Sequence, residues 1–538
     1  MHPEHNLVLT GFMGTGKTTV GHALAVKLGM EFVDTDELIE ARHGPIARIF
    51  AEQGEAEFRA IERTVARELG QRTGLVIATG GRMILDPENF QSLSKNGRIF
   101  CLVATPDEIH NRVINDETRR DRPLLQVEDP RERIIELMFE RQHDYERFPQ
   151  LVTDHAGPNV IADEVAQLWS SHSTYDISSP AGGYPYTVGA GILPFIRQLA
   201  SIHGPMVVIT DEIIRDLYAP SLGEVDLTIA LPAGRSQKTL DAVASVYQQL
   251  FEAGIDKSAT VVSLGTSIIG DIAGFAAATY LRGVDLVHCP TNLIAMVDTS
   301  VGGKVGLDVP QGRNLLGLYK QPKAVLADVG TLQTLPPRDF ASGLAEVVKH
   351  GLISSSSLLG RIESTSWTTN LLPGMLADLQ SLVAQAIQIK IAIVQADPFE
   401  EKGQRTFLNL GHTFGYGIEY ASNGEINHGE AVAMGLVAAT RLSHRKGHAS
   451  ADLVDRVETL VGHIGLSAKV PATIQAQTVL EGMRHDKKRR HSRLRFVLLK
   501  DVGEPFISDD VDDSDVLEVL QGMRESNEQS GVAALGLP

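Results

Sequence analysis

The octet Gly11–Thr18, GFMGTGKT, constrains the fold of this chain more than any other feature. It fits G-x-x-x-x-G-K-[ST] and lies between the strand-like run NLVLT and the helical pattern TTVGHALAVKLG. Glycines at this spacing let backbone N–H groups turn toward phosphate oxygens, and the helix N-terminus adds a positive dipole. Gly14, Thr15, Gly16, Lys17, Thr18 and Thr19 are therefore the candidate phosphate-binding residues. Lys17 is expected to reach the outer phosphates, and the Thr18 hydroxyl to help hold magnesium.

Further strand-like runs, EFVDT, LVIAT and RIFCLVAT, alternate with helical patterns up to about residue 165. That alternation predicts a parallel sheet covered by helices. The run EFVDT leads into DTD, which places Asp34 and Asp36 on alternate sides, one toward magnesium and one toward a substrate hydroxyl. Arg59 in GEAEFRAIE, Gly80 and Gly81 in ATGGR, Arg122 in RRDRPLL and Arg141 in FERQHDY complete the set. For Arg59 and Arg141 alone, a solvated helix face is the ordinary explanation. Gathered around a phosphate or an anionic substrate, arginines form bidentate contacts that lysine does not.

Taken together these motifs resemble shikimate kinase over residues 6–165. The resemblance implies that Asp36, Arg59, Gly80, Gly81 and Arg141 bind shikimate and that Arg122, in a lid, binds ATP phosphates. It makes Asp36, Lys17 and Arg122 the catalytic set, with Asp34 and Thr18 on Mg2+. One departure stands out: Arg82 occupies the position of a third family glycine, which adds bulk and demands a permissible backbone angle.

A chain of 538 residues exceeds one compact domain. Its formal net charge of −18 argues against general nucleic-acid or membrane-surface binding. With only Cys101 and Cys289, a disulfide framework is excluded and a reducing compartment fits. No leader pattern opens the chain, and no apolar run reaches the roughly 18 residues of a membrane span, so a cytoplasmic location is expected. The stretch 170–187 is rich in Ser, Gly and Pro and lacks apolar periodicity. It divides the chain into a kinase-like domain at 1–170, a linker at 171–183, an α/β domain at 184–335 and a mainly helical domain at 336–538. The tail ESNEQSGVAALGLP is expected to fray.

His412 and His428 lie sixteen residues apart in LNLGHTFGYGIEYASNGEINHGEAVAMG. A histidine in such a segment is more often a satisfied core residue than a ligand. A third donor changes that reading, and Glu346 in ASGLAEVVKHG supplies one, with Lys349 on the same helix face. A Glu–His–His set with an open position is a catalytic zinc arrangement. The spacing permits that meeting without requiring it.

PTNLIAMVDTSVGGKVG, LPPRDFASGLAEVVKHG, LNLGHTFG and NHGEAVAMG resemble 3-dehydroquinate synthase, a zinc- and NAD-dependent sugar-phosphate cyclase, over about 184–522. The resemblance implies zinc (or cobalt) on Glu346, His412 and His428. Substrate contacts carry over to Asp298, Lys304, Arg313, Asn314, Lys349, Lys390, Arg405, Asn409 and Lys487 or Lys488. Of these Lys304, Lys349, Arg405 and Asn409 are the catalytic group. Arg282 matches an arginine lent across a dimer interface, so a homodimer through this half is implied. NAD contacts carry over to Asp211, Lys238, Asp271, Thr291 and Thr334. Four departures accompany the match: Thr266 and Ser267 for glycines, Arg235 for glutamate, Arg313 for lysine and Tyr416 for histidine.

The two resemblances imply a bifunctional enzyme of the shikimate route. One site phosphorylates shikimate to shikimate 3-phosphate with ATP. The other converts 3-deoxy-D-arabino-heptulosonate 7-phosphate to 3-dehydroquinate and phosphate. These steps are not consecutive, so joint expression rather than channelling explains the fusion. The rival readings make the C-terminal half a divergent sugar-phosphate cyclase or a noncatalytic scaffold for the kinase.

Overall fold

The structure, a computed structural model, describes residues 5–114, 127, 129–146, 148–154, 156–170, 172–178, 182–367, 375–485 and 494–524. The expectations for Arg122, Lys487 and Lys488 fall outside the described residues.

Five strands, β1 Asn6–Thr10, β2 Glu31–Asp34, β3 Leu75–Ala78, β4 Gly97–Val103 and β5 Gln150–Val152, form a parallel sheet in the order β2-β3-β1-β4-β5. Every residue of β1 and β3 is buried, as their continuous apolar runs require when helices cover both faces. β1 runs through the glycine loop directly into the helix Lys17–Leu28. That connection aims the first free N–H groups of the helix at the carboxyl edge of the sheet, where α/β proteins bind their ligands.

The second sheet has the order β6-β7-β14-β11-β10-β8-β9. Its strands are β6 His172–Ile177, β7 Tyr184–Gly189, β8 Met206–Asp211, β9 Leu227–Leu231, β10 Thr260–Gly265, β11 Asp285–Pro290 and β14 Ala324–Asp328. β6 runs antiparallel to β7; the remaining pairs are parallel. Between β11 and β14 the hairpin of β12 Lys304–Val309 and β13 Gly312–Tyr319 stands apart from this sheet. The segment read as a linker thus contributes an edge strand, β6. Only Ile177 of that strand is fully buried, which is why HSTYDI shows no apolar period.

Beyond Pro337 the described chain is helical except for the hairpin of β15 Phe496–Leu499 and β16 Pro505–Ser508. The helices Pro337–Ser354 and His412–Ala421 each pack on His428–Arg445. One helix among the described residues, Leu376–Ala396, is long and apolar enough to cross a membrane, contrary to the sequence expectation. Leu379, Leu382, Val383, Ala386 and Ile387 are buried in the hydrophobic core, which accounts for its composition.

One core runs across both sheets. Leu7, Leu24, Val165 and Trp169 of the N-terminal part share a cluster with Tyr186, Val188, Val325 and Leu382 of the C-terminal part. Arg98 on β4 is fully buried; it donates to the Trp169 carbonyl at 2.6 Å and to the Ala190 carbonyl.

Candidate active sites

The N-terminal cleft has a volume of about 620 Å3. Its walls bring together Gly14, Gly16, Lys17, Thr18, Thr19, Asp34, Asp36, Arg59, Gly80, Gly81 and Arg141. Gly14 and Gly16 hold φ of 77° and 91°, so the loop needs glycine to enter the helix in this form. Lys17 Nζ donates back to the carbonyls of Gly11 and Phe12 at 3.0 and 2.9 Å. The Thr18 hydroxyl donates to Asp34 at 2.8 Å, pairing the two residues expected around magnesium. Thr15 turns inward instead, its hydroxyl donating to the Phe12 carbonyl.

Asp36 faces the cleft under Gly80, where a Cβ would stand 2.5 Å from Asp36 Oδ1. Burial, with the Asp34 charge adding, raises the Asp36 pKa to about 6. Arg59 is held by Glu62 at 2.6 Å and Glu55 at 2.9 Å, and Arg141 lies over the Phe12 ring at 5.4 Å. Arg82 adopts φ −124°, an ordinary angle, and its exposed side chain approaches Glu55 at 3.8 Å. Arg82 nonetheless lines the cleft beside Gly81, so its bulk stays at the rim of the site. Sequence reading missed Glu62, which sits one helical turn beyond Arg59, and Tyr145, whose hydroxyl donates to the Gly81 carbonyl. It also missed Arg112, which bridges the glycine loop to Thr153 through Gly14 O at 3.3 Å and Thr153 Oγ1 at 2.9 Å.

In the C-terminal half, Glu346, His412 and His428 converge from three helices, with one ligand atom of each within 4.8 Å of the others. Both imidazole Nε2 atoms face Glu346 Oε1, at 3.6 Å from His412 and 3.4 Å from His428. The Nδ1 atoms turn away, toward the Leu410 carbonyl at 3.2 Å and Glu419 at 3.6 Å. The Leu410 carbonyl orients the His412 ring through a hydrogen bond and the Glu419 charge faces His428, leaving both Nε2 atoms toward the site. Burial disfavours charge on His428, but Glu346 and Glu419 outweigh it and lift its pKa to about 9. Burial and the Lys349 charge pull His412 down to about 4. The fully buried Glu346 oxygens accept no aligned hydrogen bond, which suits a carboxylate meant for a cation. This donor set fits zinc or cobalt.

Lys349 lies 2.5 Å from Glu346 and 3.7 Å from Asp298, and Lys390 lies 2.6 Å from Asp298. Burial alone would raise the Asp298 pKa, yet Lys349 and Lys390 hold it well below the usual carboxylate range. Buried Arg405 donates to Pro398 O at 2.7 Å and Gly302 O at 3.2 Å; a Cβ on Gly302 would collide with its guanidinium. Lys304 pairs with Glu400 at 2.7 Å, and Asn409 is exposed at the end of the turn before His412. Arg282 is exposed in a turn where Leu281 and Arg282 take φ of 48° and 63°.

Asp211 and Thr291 flank the carboxyl ends of β8 and β11, the edge where open α/β sheets bind dinucleotides. Asp211 caps the following helix through Ile213 N and Ile214 N. Lys238 pairs with Asp271 at 2.5 Å, while Asp271 accepts from Gly306 N at 2.9 Å. Thr334 shares a hydrogen bond with Tyr218, and Thr291 Oγ1 is buried without a partner. A small cavity beside them is lined by Thr266, Ser267, Asp271, His288, Ser300 and Lys304, and Ser300 Oγ is also unpartnered. Thr266 has φ −76°, so the backbone there needs no glycine. The helix N-terminus, orphaned hydroxyls and paired charges along this edge are donors of the kind a dinucleotide's phosphates and hydroxyls engage. Tyr416 lies beside both histidines, its ring edge-on to His412 at 5.5 Å and tilted against His428 at 6.3 Å. Arg235 pairs with Asp308 at 3.1 Å, and Arg313 pairs with Glu419 at 2.9 Å.

Three segments of the chain match family models of known proteins. Residues 13–169 match the family model for shikimate kinase. Residues 228–342 and 343–489 match those for the 3-dehydroquinate synthase N-terminal and C-terminal parts. The 3-dehydroquinate synthase of Xanthomonas campestris pv. campestris (strain 8004) is 41% identical over 360 residues, covering 63% of this chain and 96% of the relative. That of Acidithiobacillus ferrooxidans (strain ATCC 53993 / BNL-5-31) is 40% identical over 356 residues, 64% of this chain and 96% of the relative. A crystal structure of 2-deoxy-scyllo-inosose synthase complexed with carbaglucose-6-phosphate, NAD+ and Co2+ is 25% identical with a TM-score of 0.59, covering 65% of this chain and all of that one.

Proposed function

Because this chain belongs to the 3-dehydroquinate synthase family and carries a shikimate kinase domain ahead of it, we propose that its two clefts are the two active sites of one bifunctional enzyme. The N-terminal site phosphorylates shikimate with ATP and Mg2+. The C-terminal site converts 3-deoxy-D-arabino-heptulosonate 7-phosphate to 3-dehydroquinate and phosphate. The observation that carries the cyclase reading is the convergence of Glu346, His412 and His428 beside Lys349, Lys390 and Asp298.

In the kinase cleft Asp36, ionised above about pH 6, accepts the proton of the substrate hydroxyl. Lys17 and the loop N–H groups neutralise the transferring phosphate, Thr18 and Asp34 hold magnesium, and Arg59 and Arg141 orient the shikimate carboxylate. In the C-terminal site Glu346, His412 and His428 would hold a metal able to polarise a substrate oxygen, beside residues that would hold NAD for reversible hydride transfer. Lys349, Lys390, Arg405, Lys304, Asn314 and Asn409 bind and orient the phosphate, carboxylate and hydroxyl groups of an acidic sugar. Asp298 keeps Lys349 and Lys390 charged and in place. Asp211, Lys238, Asp271, Thr291 and Thr334 hold the dinucleotide.

The reading extends to a cytoplasmic homodimer, with Arg282 presented to the second copy and no nucleic-acid or membrane partner. The exposure of Arg282 in a left-handed turn and the unpaired state of Cys101 and Cys289 support this. Sedimentation of the full chain tests the dimer. The scaffold alternative is not favoured, since relatives named as synthases match across both parts of that half. Purified full-length chain is expected to form shikimate 3-phosphate with ATP, and to release phosphate from the heptulosonate phosphate only with NAD and metal. Phosphate release that ignores both additions would refute the cyclase assignment.

A further inference from the structure

The metal centre is backed by a charge that comes from outside the helices that carry its ligands. Glu419 lies two helical turns beyond His412, is buried, and places Oε2 3.6 Å from Nδ1 of His428. The same oxygen lies 2.9 Å from Nη1 of Arg313, which is not on any helix of the metal-binding half. Arg313 belongs to β13, in the hairpin that follows the candidate dinucleotide cradle.

That hairpin is anchored on the cofactor side. Asn314, next to Arg313, takes φ 52°, a left-handed angle uncommon for a residue with a side chain. It is held there from two directions: its N–H donates to Asp308 Oδ1 at 2.9 Å, and its Oδ1 accepts from Lys238 Nζ. Asp308 in turn pairs with Arg235, and Lys238 with Asp271. The ladder also slips between Leu307 and Val309, so the strand alternation that would otherwise aim Arg313 is interrupted at its end. The side chain spans from this anchored turn to Glu419.

We propose that Arg313 is a positioning residue for the metal centre, tying the cofactor-side hairpin to Glu419 and through Glu419 fixing His428. The inference rests on the metal-site reading above and gives Arg313 a task distinct from substrate contact. Arg313 Nη1, at 2.9 Å, holds the buried Glu419 carboxylate on the side of His428 where Oε2 faces Nδ1, so the arginine fixes the position of the group that backs the imidazole. Lysine keeps the charge at this position but loses the planar fork, which makes Arg313→Lys an informative intermediate.

The test is the rate at which zinc-loaded full-length chain gives up zinc to a colorimetric chelator. Kinase turnover serves as the folding control. Arg313→Gln is expected to release zinc about tenfold faster than the unaltered chain, as outer-shell partners typically alter metal affinity 10- to 100-fold. Arg313→Lys should fall between them. Arg313→Gln combined with Glu419→Gln should be no faster than Glu419→Gln alone, because both act through one path. Release from Arg313→Gln within about twofold of the unaltered chain, or a double variant whose effects multiply, overturns the proposal. His428→Ala separates this from failure of the underlying reading. If His428→Ala holds zinc as well as the unaltered chain does, the metal site itself is wrong; if only Arg313→Gln is without effect, the site stands and the strap falls.

Discussion

Gln150 at the edge of the kinase sheet and Gln333 in the turn after β14 exchange two hydrogen bonds, Gln150 N–H to Gln333 Oε1 at 2.9 Å and Gln333 Nε2 to the Gln150 carbonyl at 3.1 Å. A side-chain amide thus completes the strand edge of one enzyme from within the other. With Arg98 and the common core around Trp169, this makes the junction a folded interior rather than a tether.

Arg98→Ala should therefore destabilise the whole chain, by about 2–4 kcal/mol, since it leaves two buried carbonyls without a donor. Calorimetry is expected to show a single transition at lower temperature, with both activities lost together. Separate melting of the kinase would show that the halves fold independently.

Lys17→Ala should abolish phosphoryl transfer to shikimate and leave phosphate release by the cyclase nearly unchanged. Lys17 lines only the N-terminal cleft, and distant sites usually add independently. Loss of both activities in a folded variant would contradict the assignment.

Kinase kcat/KM should fall with acid. The Asp36 pKa is raised, so the group is ionised above about 6 and protonated below it. At pH 5 roughly one-tenth remains ionised, giving about a tenfold lower rate from this group. A flat profile between pH 7.5 and 5 would remove Asp36 from the role of base.

Much of both sites was legible because their residues are bound to local geometry. The glycine loop announces its own backbone, and Gly80 is required by the approach of Asp36. Other features were hidden for physical reasons. β6 is an edge strand with little burial, so its sequence carries no apolar rhythm and reads as linker. Glu419 stands seven residues after His412, a helical spacing that was visible, but nothing local says that Arg313 crosses to meet it. The shared core depends on helix Pro158–Ser170 packing against both Lys17–Leu28 and Leu376–Ala396, a long-range fact absent from any single window.

Thr266→Gly with Ser267→Gly should tighten NAD binding in calorimetry. The angle at Thr266 needs no glycine, so the side chains act only by occupying the cradle. Weaker binding would show that their hydroxyls are contacts.

The most direct test of the account is zinc per chain measured alongside phosphate release in His412→Ala. The ligand assignment predicts a folded protein with zinc lost, cyclase activity abolished and kinase activity kept, because three protein donors cannot spare one. A folded variant that retains one zinc per chain and cyclises at the normal rate would contradict it.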